Sequence, residues 1–403
     1  MKDGPFGKDN RWLLPEGVGE VLPPDAARLE RLRRALVDAF DRWGYELVMP
    51  PTIEYLESLL TGAGHDLDLQ TFKLTDQLSG RMMGVRADMT PQAARIDAHK
   101  LKRDGPTRLC YIGTVLQTRP EGPASSRNPI QVGAELFGHA GVEADIEVIS
   151  LMLESLRVAG IGGCHLDLGH VGIFRGLAAH ADMGTEAENQ LWDALQRKAV
   201  SEIDALLGAL EISSPQRRML RALAGLSGGV EVLDQANSVL ADAPQSVHDA
   251  MRELWSIATS LERRLPDVAL HFDLGELRGY AYHTGAVFAA FVPGHGEEVA
   301  RGGRYDQIGR VFGRPRPATG FSADLKTLMA LGEAAAEPER PGCVLAPWDD
   351  ENALQKAVRR LRAEGTRVLW ALPGQPAAGC GCDRRLVKRG GTWSVEPMTY
   401  EQS

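Results

Sequence analysis

The sequence predicts an α+β fold: a mixed, mostly antiparallel sheet with helices, interrupted by a helical insertion and followed by a small α/β unit. Three observations predict it. Short apolar runs of strand character recur from Tyr45 to Phe137 and again from Ala269 to Arg301. Between them, from about Met183 to Leu265, the chain is rich in Leu, Ala, Glu and Arg and reads as helical throughout. Beyond a proline-containing linker, residues 337–341, two short apolar strands flank one helix. At 403 residues the chain exceeds one ordinary core. It divides into an N-terminal domain, residues 1–336, carrying the insertion at about 183–265, and a truncated α/β C-terminal domain, residues 342–403.

The elements follow in order. Asp25, after two prolines, is placed to cap a helix. Leu29, Leu32, Leu36, Phe40 and Trp43 then recur every three to four residues, one apolar stripe that stops at Gly44. Residues 45–49 read as a strand closed by Pro50 and Pro51. Further strands are expected over 81–86, 108–113, 130–137 and 165–168. In the last, Cys164, Leu166 and Leu168 alternate with His165 and Asp167, which buries one face. Ile146, Ile149, Leu153 and Leu156 give a helix over 145–156. After the insertion, strands resume over 269–273, 286–291 and 298–301, and a helix over 323–333 closes the domain. In the C-terminal unit, strands over 343–347 and 367–372 flank a helix over 351–363, with one short strand at 392–395.

Hydrophobic residues at 43% and charged residues at 25% are ordinary globular usage and argue against disorder as the main state. A net charge of −9 lacks the basic footprint of nucleic-acid binding. The first eleven residues carry no apolar run, and no stretch of roughly 18 uncharged apolar residues occurs, so neither a secretory signal nor a membrane span is expected. Cys110, Cys164, Cys343, Cys380 and Cys382 are odd in number and show no repeating spacing, which suits a reduced cytoplasm. Gly379-Cys380-Gly381-Cys382 is a close pair whose functional reading is a metal or redox site; a metal site would need further Cys or His ligands and none lies near, and the reading taken is a glycine-rich turn. No metal and no cofactor are expected.

Four segments concentrate chemistry. In the first, residues 86–91, Asp88 and Thr90 lie two apart at a strand end, able to accept bonds from an ammonium group if the chain is extended, or to cap the helix that follows. Along the second, residues 131–135, Gln131, Gly133 and Glu135 share one strand face, and Gly133 leaves space over it; this is a small-molecule floor or a solvated face. Residues 277–285 crowd Arg278, Tyr280, Tyr282 and His283 into one turn, either a ligand loop or an exposed hairpin. The fourth, Ala300 to Asp306, contains Gly302-Gly303, by itself no more than a hairpin turn.

Their order and spacing say more than their composition. Gly44-Tyr45 through Pro51, Arg86 to Thr90, Tyr111-Ile112-Gly113 through Gly138, Arg278 to Phe288, Gly302 to Asp306 and Gly320-Phe321 together resemble the class II histidyl-tRNA synthetase catalytic domain over roughly residues 10–332. The resemblance implies a class II aminoacyl-tRNA synthetase-like sheet and a histidine pocket. Asp88, Thr90, Gln131 and Glu135 match positions that hold the amino acid's α-amino group and help with its ring, Asp88 standing where the family usually has a glutamate. Arg278 matches the arginine near the carboxylate. Tyr282 and His283 match two tyrosines beside the imidazole, His283 being a departure.

The activation chemistry departs further. Gln117 falls where the family has an arginine on the α-phosphate of ATP, with Arg119 near the place of a second. Thr327 falls where an arginine holds the γ-phosphate, and Asp324 where a glycine underlies the adenine; Lys326 is one residue out. A neutral amide and a hydroxyl do not replace two fixed cations, each such donor being worth roughly 10²–10³ in rate. The basic residues of the tail, Arg359, Arg360, Arg362, Arg384, Arg385, Lys388 and Arg389, read as a solvated face, and tRNA binding is not expected. A histidine pocket, a disabled activation site and a shortened tail resemble the regulatory subunits of ATP phosphoribosyltransferase. That resemblance implies a non-catalytic cytoplasmic protein that binds L-histidine, joins a short-form ATP phosphoribosyltransferase catalytic subunit in the first step of histidine biosynthesis, and pairs with itself through motif one. The rivals are a divergent histidyl-tRNA synthetase and a free-histidine sensor of another pathway.

Overall fold

The structure, a computed structural model, describes residues 12–60, 65–120, 126–276, 279–280, 282–308, 312–332, 342–374 and 380–398. The chain forms two compact units, Met1–Ala335 and Ala336–Ser403. In the first, helix α1 (Asp25–Arg42) buries Leu29, Leu32, Leu36 and Phe40, the stripe that the spacing predicts. Its start differs from expectation. Pro24 holds the cap position, and Asp25 sits in the first turn, where its carboxylate suits the helix dipole and pairs with Arg28 at 3.0 Å. Trp43 lies past the last turn and is partly exposed, because Gly44 at φ +80° has already turned the chain.

The elements that follow are β1 (Glu46–Leu47), β2 (Ile53–Tyr55), α2 (Leu56–Leu60), α3 (His65–Gln70), β3 (Phe72–Thr75), β4 (Met82–Val85) and α4 (Thr90–Arg95), which runs on as a π-helical turn, Ile96–Leu101. Then come β5 (Thr107–Thr114), β6 (Ile130–Phe137), α5 (Val142–Val158), β7 (His165–His170) and α6 (Val171–His180). The insertion supplies α7 (Thr185–Gln196), α8 (Val200–Ala209), α9 (Ser214–Ala222), β8 (Ser227–Gly228), α10 (Glu231–Val239) and α11 (Gln245–Arg264). It is therefore not purely helical: β8 extends the main sheet, too short a strand to leave a periodic signal. Strands β9 (Ala269–Asp273), β10 (Ala286–Phe291), β11 (Ala300–Arg304) and β12 (Ala318–Asp324) lead into α12 (Leu325–Leu331).

The main sheet has nine strands in the order β1-β5-β6-β12-β11-β10-β7-β9-β8. Only β1–β5 and β7–β9 pair in parallel, so the sheet is mixed and mostly antiparallel, as the sequence predicts. Strands β2, β4 and β3 form a separate three-stranded sheet. Strand β12 was not anticipated. Residues from Ala323 were expected to open a helix, but Asp324 ends the strand and its side chain accepts the Lys326 N–H at 3.1 Å, capping α12. The Gly302-Gly303 pair, expected as a hairpin turn, lies inside β11, flanked by β10 and β12. A Cβ on Gly302 would stand 2.1 Å from the Gly320 carbonyl and 2.6 Å from the Phe288 ring, so close strand packing requires the glycine.

Helix α5 is buried along most of its length against this sheet and closes the largest core with Leu36, Phe40, Leu166, Leu168 and Phe272. One buried ion pair locks α5 to β11. Arg304 donates to Asp145 Oδ2 at 2.8 and 3.1 Å and to the carbonyls of His139 and Gly141 at 3.2 and 3.0 Å, with both residues under 5% exposed. In the second unit, β13 (Val344–Pro347), α13 (Asn352–Ala363), β14 (Val368–Ala371), β15 (Arg384–Arg389) and β16 (Thr392–Pro397) form a sheet ordered β14-β13-β15-β16. The β15–β16 hairpin is longer than the single short strand expected; its charged and polar outward residues hide the alternation.

Removing one member of a buried pair strands the other. Arg304→Ala should cost about 3–5 kcal/mol of stability, and Arg304→Met with Asp145→Leu should recover most of it. Urea denaturation of the two variants checks this; equal midpoints for wild type and Arg304→Ala would show that the pair is not structural.

Candidate functional site

Strand β4 ends at Val85, and the chain turns into α4 through Asp88 and Thr90. The two side chains are thus presented by a helix entry, not by the pleat of a strand. Asp88 Oδ1 accepts the Thr90 N–H at 3.0 Å, a turn contact just ahead of the helix, whose cap position is Met89, and also the Gln131 amide at 2.7 Å. The Gln131 carbonyl oxygen in turn accepts the Met89 N–H at 2.8 Å. Thr90 Oγ1 lies 3.0 Å from the Tyr111 hydroxyl, and Tyr111 donates to Glu135 Oε1 at 2.8 Å. One network therefore joins the first predicted segment to the second.

Gln131, Gly133 and Glu135 share a face of β6, since successive strand residues alternate. The space over Gly133 is not empty: a Cβ there would stand 2.6 Å from the Tyr111 hydroxyl and 2.7 Å from its ring. Gly320, opposite Glu135 in the β6–β12 register, makes the same concession, since a Cβ would stand 1.5 Å from Glu135 Oε2. Glu135 is 1% exposed, and Tyr305 donates to its second oxygen. Burial pushes its carboxyl up to about 8, with the nearby Asp88 charge adding to the rise and the two phenol bonds opposing it. Such a group holds its proton at neutral pH.

In the third segment, Gly279 at φ +66° sets a turn in which the N–H groups of Tyr282 and His283 both donate to its carbonyl at 2.8 Å. The Tyr282 ring stacks on Tyr305 at 5.1 Å and meets His283 edge-on at 5.4 Å. His283 is seated between two glycines: a Cβ on Gly279 or on Gly303 would come within 2.8 Å of its ring. Desolvation lowers its pKa to about 4, so the imidazole is neutral. Among the described residues, the Tyr282 hydroxyl and His283 Nδ1 are buried without a well-aligned hydrogen-bond partner, although the His283 ring lies against the Arg304 backbone. Buried polar atoms are ordinarily satisfied, so two such atoms near the buried Glu135 mark this cluster as a candidate site for a polar partner. Tyr280 turns the other way, packing on Phe174 and Trp192 and donating to Glu188. Arg278 lies outside the described residues.

Asp88, Thr90, Gln131, Glu135, Tyr282 and His283 are thereby linked through two residues that sequence reasoning did not select, Tyr111 and Tyr305. Tyr111 faces Gly133 across β5–β6, a pairing visible only once register is known. Tyr305 follows a glycine pair that reads as a turn. At the Gln131 end of β6 the remaining predicted positions gather. Asp324 Oδ1 accepts the Ile130 N–H at 2.9 Å, and the Thr327 hydroxyl donates to Asp324 Oδ2 at 3.2 Å. Lys326 Nζ reaches the Asn128 carbonyl at 2.8 Å. Gln117 is buried, its backbone N–H donating to the Arg127 carbonyl at 2.8 Å and its carbonyl accepting from Arg127 Nε at 3.1 Å. A separate surface cavity of about 470 Å³, walled by Trp43, Arg108 and Glu147, contains none of the predicted residues.

Comparison with known proteins bears on the same regions. Residues 17–328 match the histidyl-tRNA synthetase family, and residues 341–396 match the family described as the ATP phosphoribosyltransferase subunit HisZ C-terminal domain. A protein of Alkalilimnicola ehrlichii named ATP phosphoribosyltransferase regulatory subunit is 66% identical over 402 residues, covering 99% of this chain and 100% of its own. One of the same name from Pseudomonas aeruginosa is 58% identical over 96% of this chain and 98% of its own. Among solved structures, a Bacillus halodurans protein titled as an ATP phosphoribosyltransferase regulatory subunit/histidyl-tRNA synthetase superposes with a TM-score of 0.80 at 28% identity, over 93% of this chain and 95% of that one. A histidyl-tRNA synthetase from a Nostoc species shares the fold, with a TM-score of 0.74 at 19% identity over 93% and 91% of the two chains. A class II synthetase-type domain with this C-terminal unit, and relatives matched over nearly their whole length, show that the chain belongs to the ATP phosphoribosyltransferase regulatory subunit family.

Proposed function

We propose that this chain is a non-catalytic regulatory subunit of ATP phosphoribosyltransferase in the first step of L-histidine biosynthesis, that it binds free L-histidine in the pocket around Glu135, and that a short catalytic subunit requires it for activity. The observation that carries the reading is a buried Glu135 in a network with two polar atoms, on Tyr282 and His283, that lack a well-aligned partner among the described residues. Histidine presents an ammonium, a carboxylate and an imidazole. Asp88, and Glu135 once it gives up its proton, offer negative charge to the ammonium, Arg278 a fork to the carboxylate, and Tyr282 with His283 flank the ring. A neutral His283 can accept or donate through Nδ1 according to tautomer. Charge-assisted bonds of this kind are the strong ones, and a micromolar constant needs about −8 kcal/mol.

The absence of synthetase activity rests on different residues. Gln117 and Thr327 stand where the synthetase resemblance calls for phosphate-binding arginines, and the Thr327 hydroxyl and Lys326 Nζ are both committed to internal bonds. Histidine-dependent pyrophosphate exchange by the pure protein should stay at background; clear exchange would restore the reading as a divergent synthetase. Self-pairing through motif one, helix α1 with the strand ending at Pro50, is part of the same proposal. Light scattering at micromolar concentration should give at least a dimer, and a monomer would remove that part.

Histidine binding has a pH signature. Glu135 is raised from 4.5 to about 8, so the ligand-free protein holds a proton there between those values, whereas an ammonium favours the carboxylate. Affinity should therefore fall as pH drops from 8 to 7, by up to about tenfold, with a proton released on binding. Glu135→Gln and Arg278→Ala should each weaken histidine by ~1.5–3 kcal/mol, roughly tenfold or more, and Glu135→Gln should abolish the proton release. Calorimetry in buffers of different ionisation enthalpy, beside inhibition of the reconstituted complex, checks both. If both variants bind as the wild type does, or lose binding while the complex stays inhibitable, histidine acts elsewhere.

A further inference from the structure

We propose that Cys343 and Cys382 of the C-terminal unit form a thiol pair that closes to a disulfide by exchange with oxidised glutathione, entered through Cys380. The five cysteines are thiols in this structure. Cys343 and Cys382 lie 39 residues apart in the chain, yet their sulfurs are 2.8 Å apart. The fold brings them there: β13 pairs in parallel with β15, and the N–H groups of Asp383 and Arg384 both donate to the Cys343 carbonyl, at 3.2 and 3.1 Å. The sulfurs therefore meet across a hydrogen-bonded backbone and need no rearrangement of it to bond. Leu345, Leu369, Ala371 and Met398 pack around them.

Cys380 completes the arrangement. Gly381, at φ +69°, turns the chain between the two cysteines, and the Cys382 thiol is in hydrogen-bonding contact with both Cys343 and Cys380. Cys343 and Cys382 are 5% and 2% exposed, whereas Cys380 is only half-buried. Burial raises the Cys382 thiol well above its ordinary range, which makes it a poor first nucleophile. Among the described residues no set of three or more His, Cys, Asp or Glu side chains has the geometry to hold a metal ion, so the cluster suits disulfide chemistry better than metal binding.

The exchange proceeds in balanced steps. Cys380, ionised to its thiolate, attacks one sulfur of oxidised glutathione; the glutathione S–S bond breaks, and one glutathione leaves as thiolate and takes up a proton. Cys382 attacks the Cys380 sulfur and expels the second glutathione. Cys343 then attacks Cys382, and Cys380 returns to the thiol. Two cysteine thiols are oxidised to one disulfide, and one oxidised glutathione is reduced to two glutathione thiols. The new bond ties the entry of β13 to the segment before β15.

The test uses the full-length protein incubated folded with oxidised glutathione, then unfolded in denaturant, blocked there with a maleimide and digested without reduction. Mass mapping should find a Cys343–Cys382 peptide, with Cys380 and Cys110 alkylated. Cys110 serves as reference, since burial pushes its thiol up to about 12. Cys380→Ser should slow linkage by roughly tenfold, and Cys343→Ser should halt the reaction at Cys380 and Cys382; circular dichroism checks that both variants are folded. The proposal is overturned if the wild type carries glutathione on Cys380 while Cys343 and Cys382 stay alkylatable, and an unchanged rate in Cys380→Ser overturns the entry role.

Discussion

The site depends on one carboxyl group that the sheet has taken out of water. An ionised carboxylate costs several kcal/mol to bury even after relaxation, so a buried one is neutral or tightly bonded. Glu135 is both. It lies toward the Phe137 end of β6, receives a phenol on each oxygen, and its burial raises its carboxyl to about 8. The two phenols then fix what lies around them: Tyr111 holds Thr90 at the entry of α4, and Tyr305 stacks the Tyr282 ring. Replacing Glu135 by an apolar residue would leave both hydroxyls seeking partners, so the network stands or falls as a unit.

Room for the network comes from glycine. Gly133, Gly303 and Gly320 lie on three adjacent strands, and each is occupied, where a Cβ would be, by a functional atom: the Tyr111 hydroxyl, the His283 ring and a Glu135 oxygen respectively. A strand gives up packing and conformational entropy at each glycine. The sheet accepts that loss at the positions where side chains must lie flat over the backbone. The Arg304–Asp145 pair, next to Gly303 in sequence, fixes β11 against α5 and so keeps the floor of the site in register.

How much of this could be read from the sequence follows from what each signal encodes. The apolar stripe of α1, the run of β6, the alternation in β7 and the helical insertion are periodic, and periodicity reports burial directly. The mixed, mostly antiparallel α+β architecture was legible for that reason. Strand β12 was not, because Asp324 and the apolar residues beyond it look like a helix start, and β8 is two residues long. Asp88 and Gln131 are separate segments in the sequence and hydrogen-bonded partners in the fold, which the resemblance to a synthetase domain anticipates and spacing alone does not. Tyr111 and Tyr305 stayed hidden because their roles depend on cross-strand register, which one chain's composition does not carry. The cysteines illustrate the same limit: the Cys380–Cys382 pair had no partner nearby in the chain, and the partner, Cys343, arrives through strand pairing.

Gln131 and Glu135, matched to the histidine pocket, and Asp324, matched to the ATP site, lie along a single pair of strands, β6 and β12. Toward one end of β6 and β12, Glu135 lies over Gly320 and takes a phenol on each oxygen. At the other, Gln131 faces Asp324, whose carboxylate accepts the N–H groups of Ile130 and Lys326 and the hydroxyl of Thr327. An acid in that place repels the phosphates that an adenylate-forming site must attract, and it is already committed to capping α12. The two ends are joined by the strand backbone and by the chain of side-chain hydrogen bonds from Gln131 through Asp88, Thr90 and Tyr111 to Glu135, whereas Asp324, Lys326 and Thr327 bond to one another, to Ile130 and to Asn128. The intervening residues, Val132 to Ala134 against Phe321 to Ala323, are apolar or small, so between the two groups of side chains the strands pack closely and the polar link runs outside them, through Asp88, Thr90 and Tyr111.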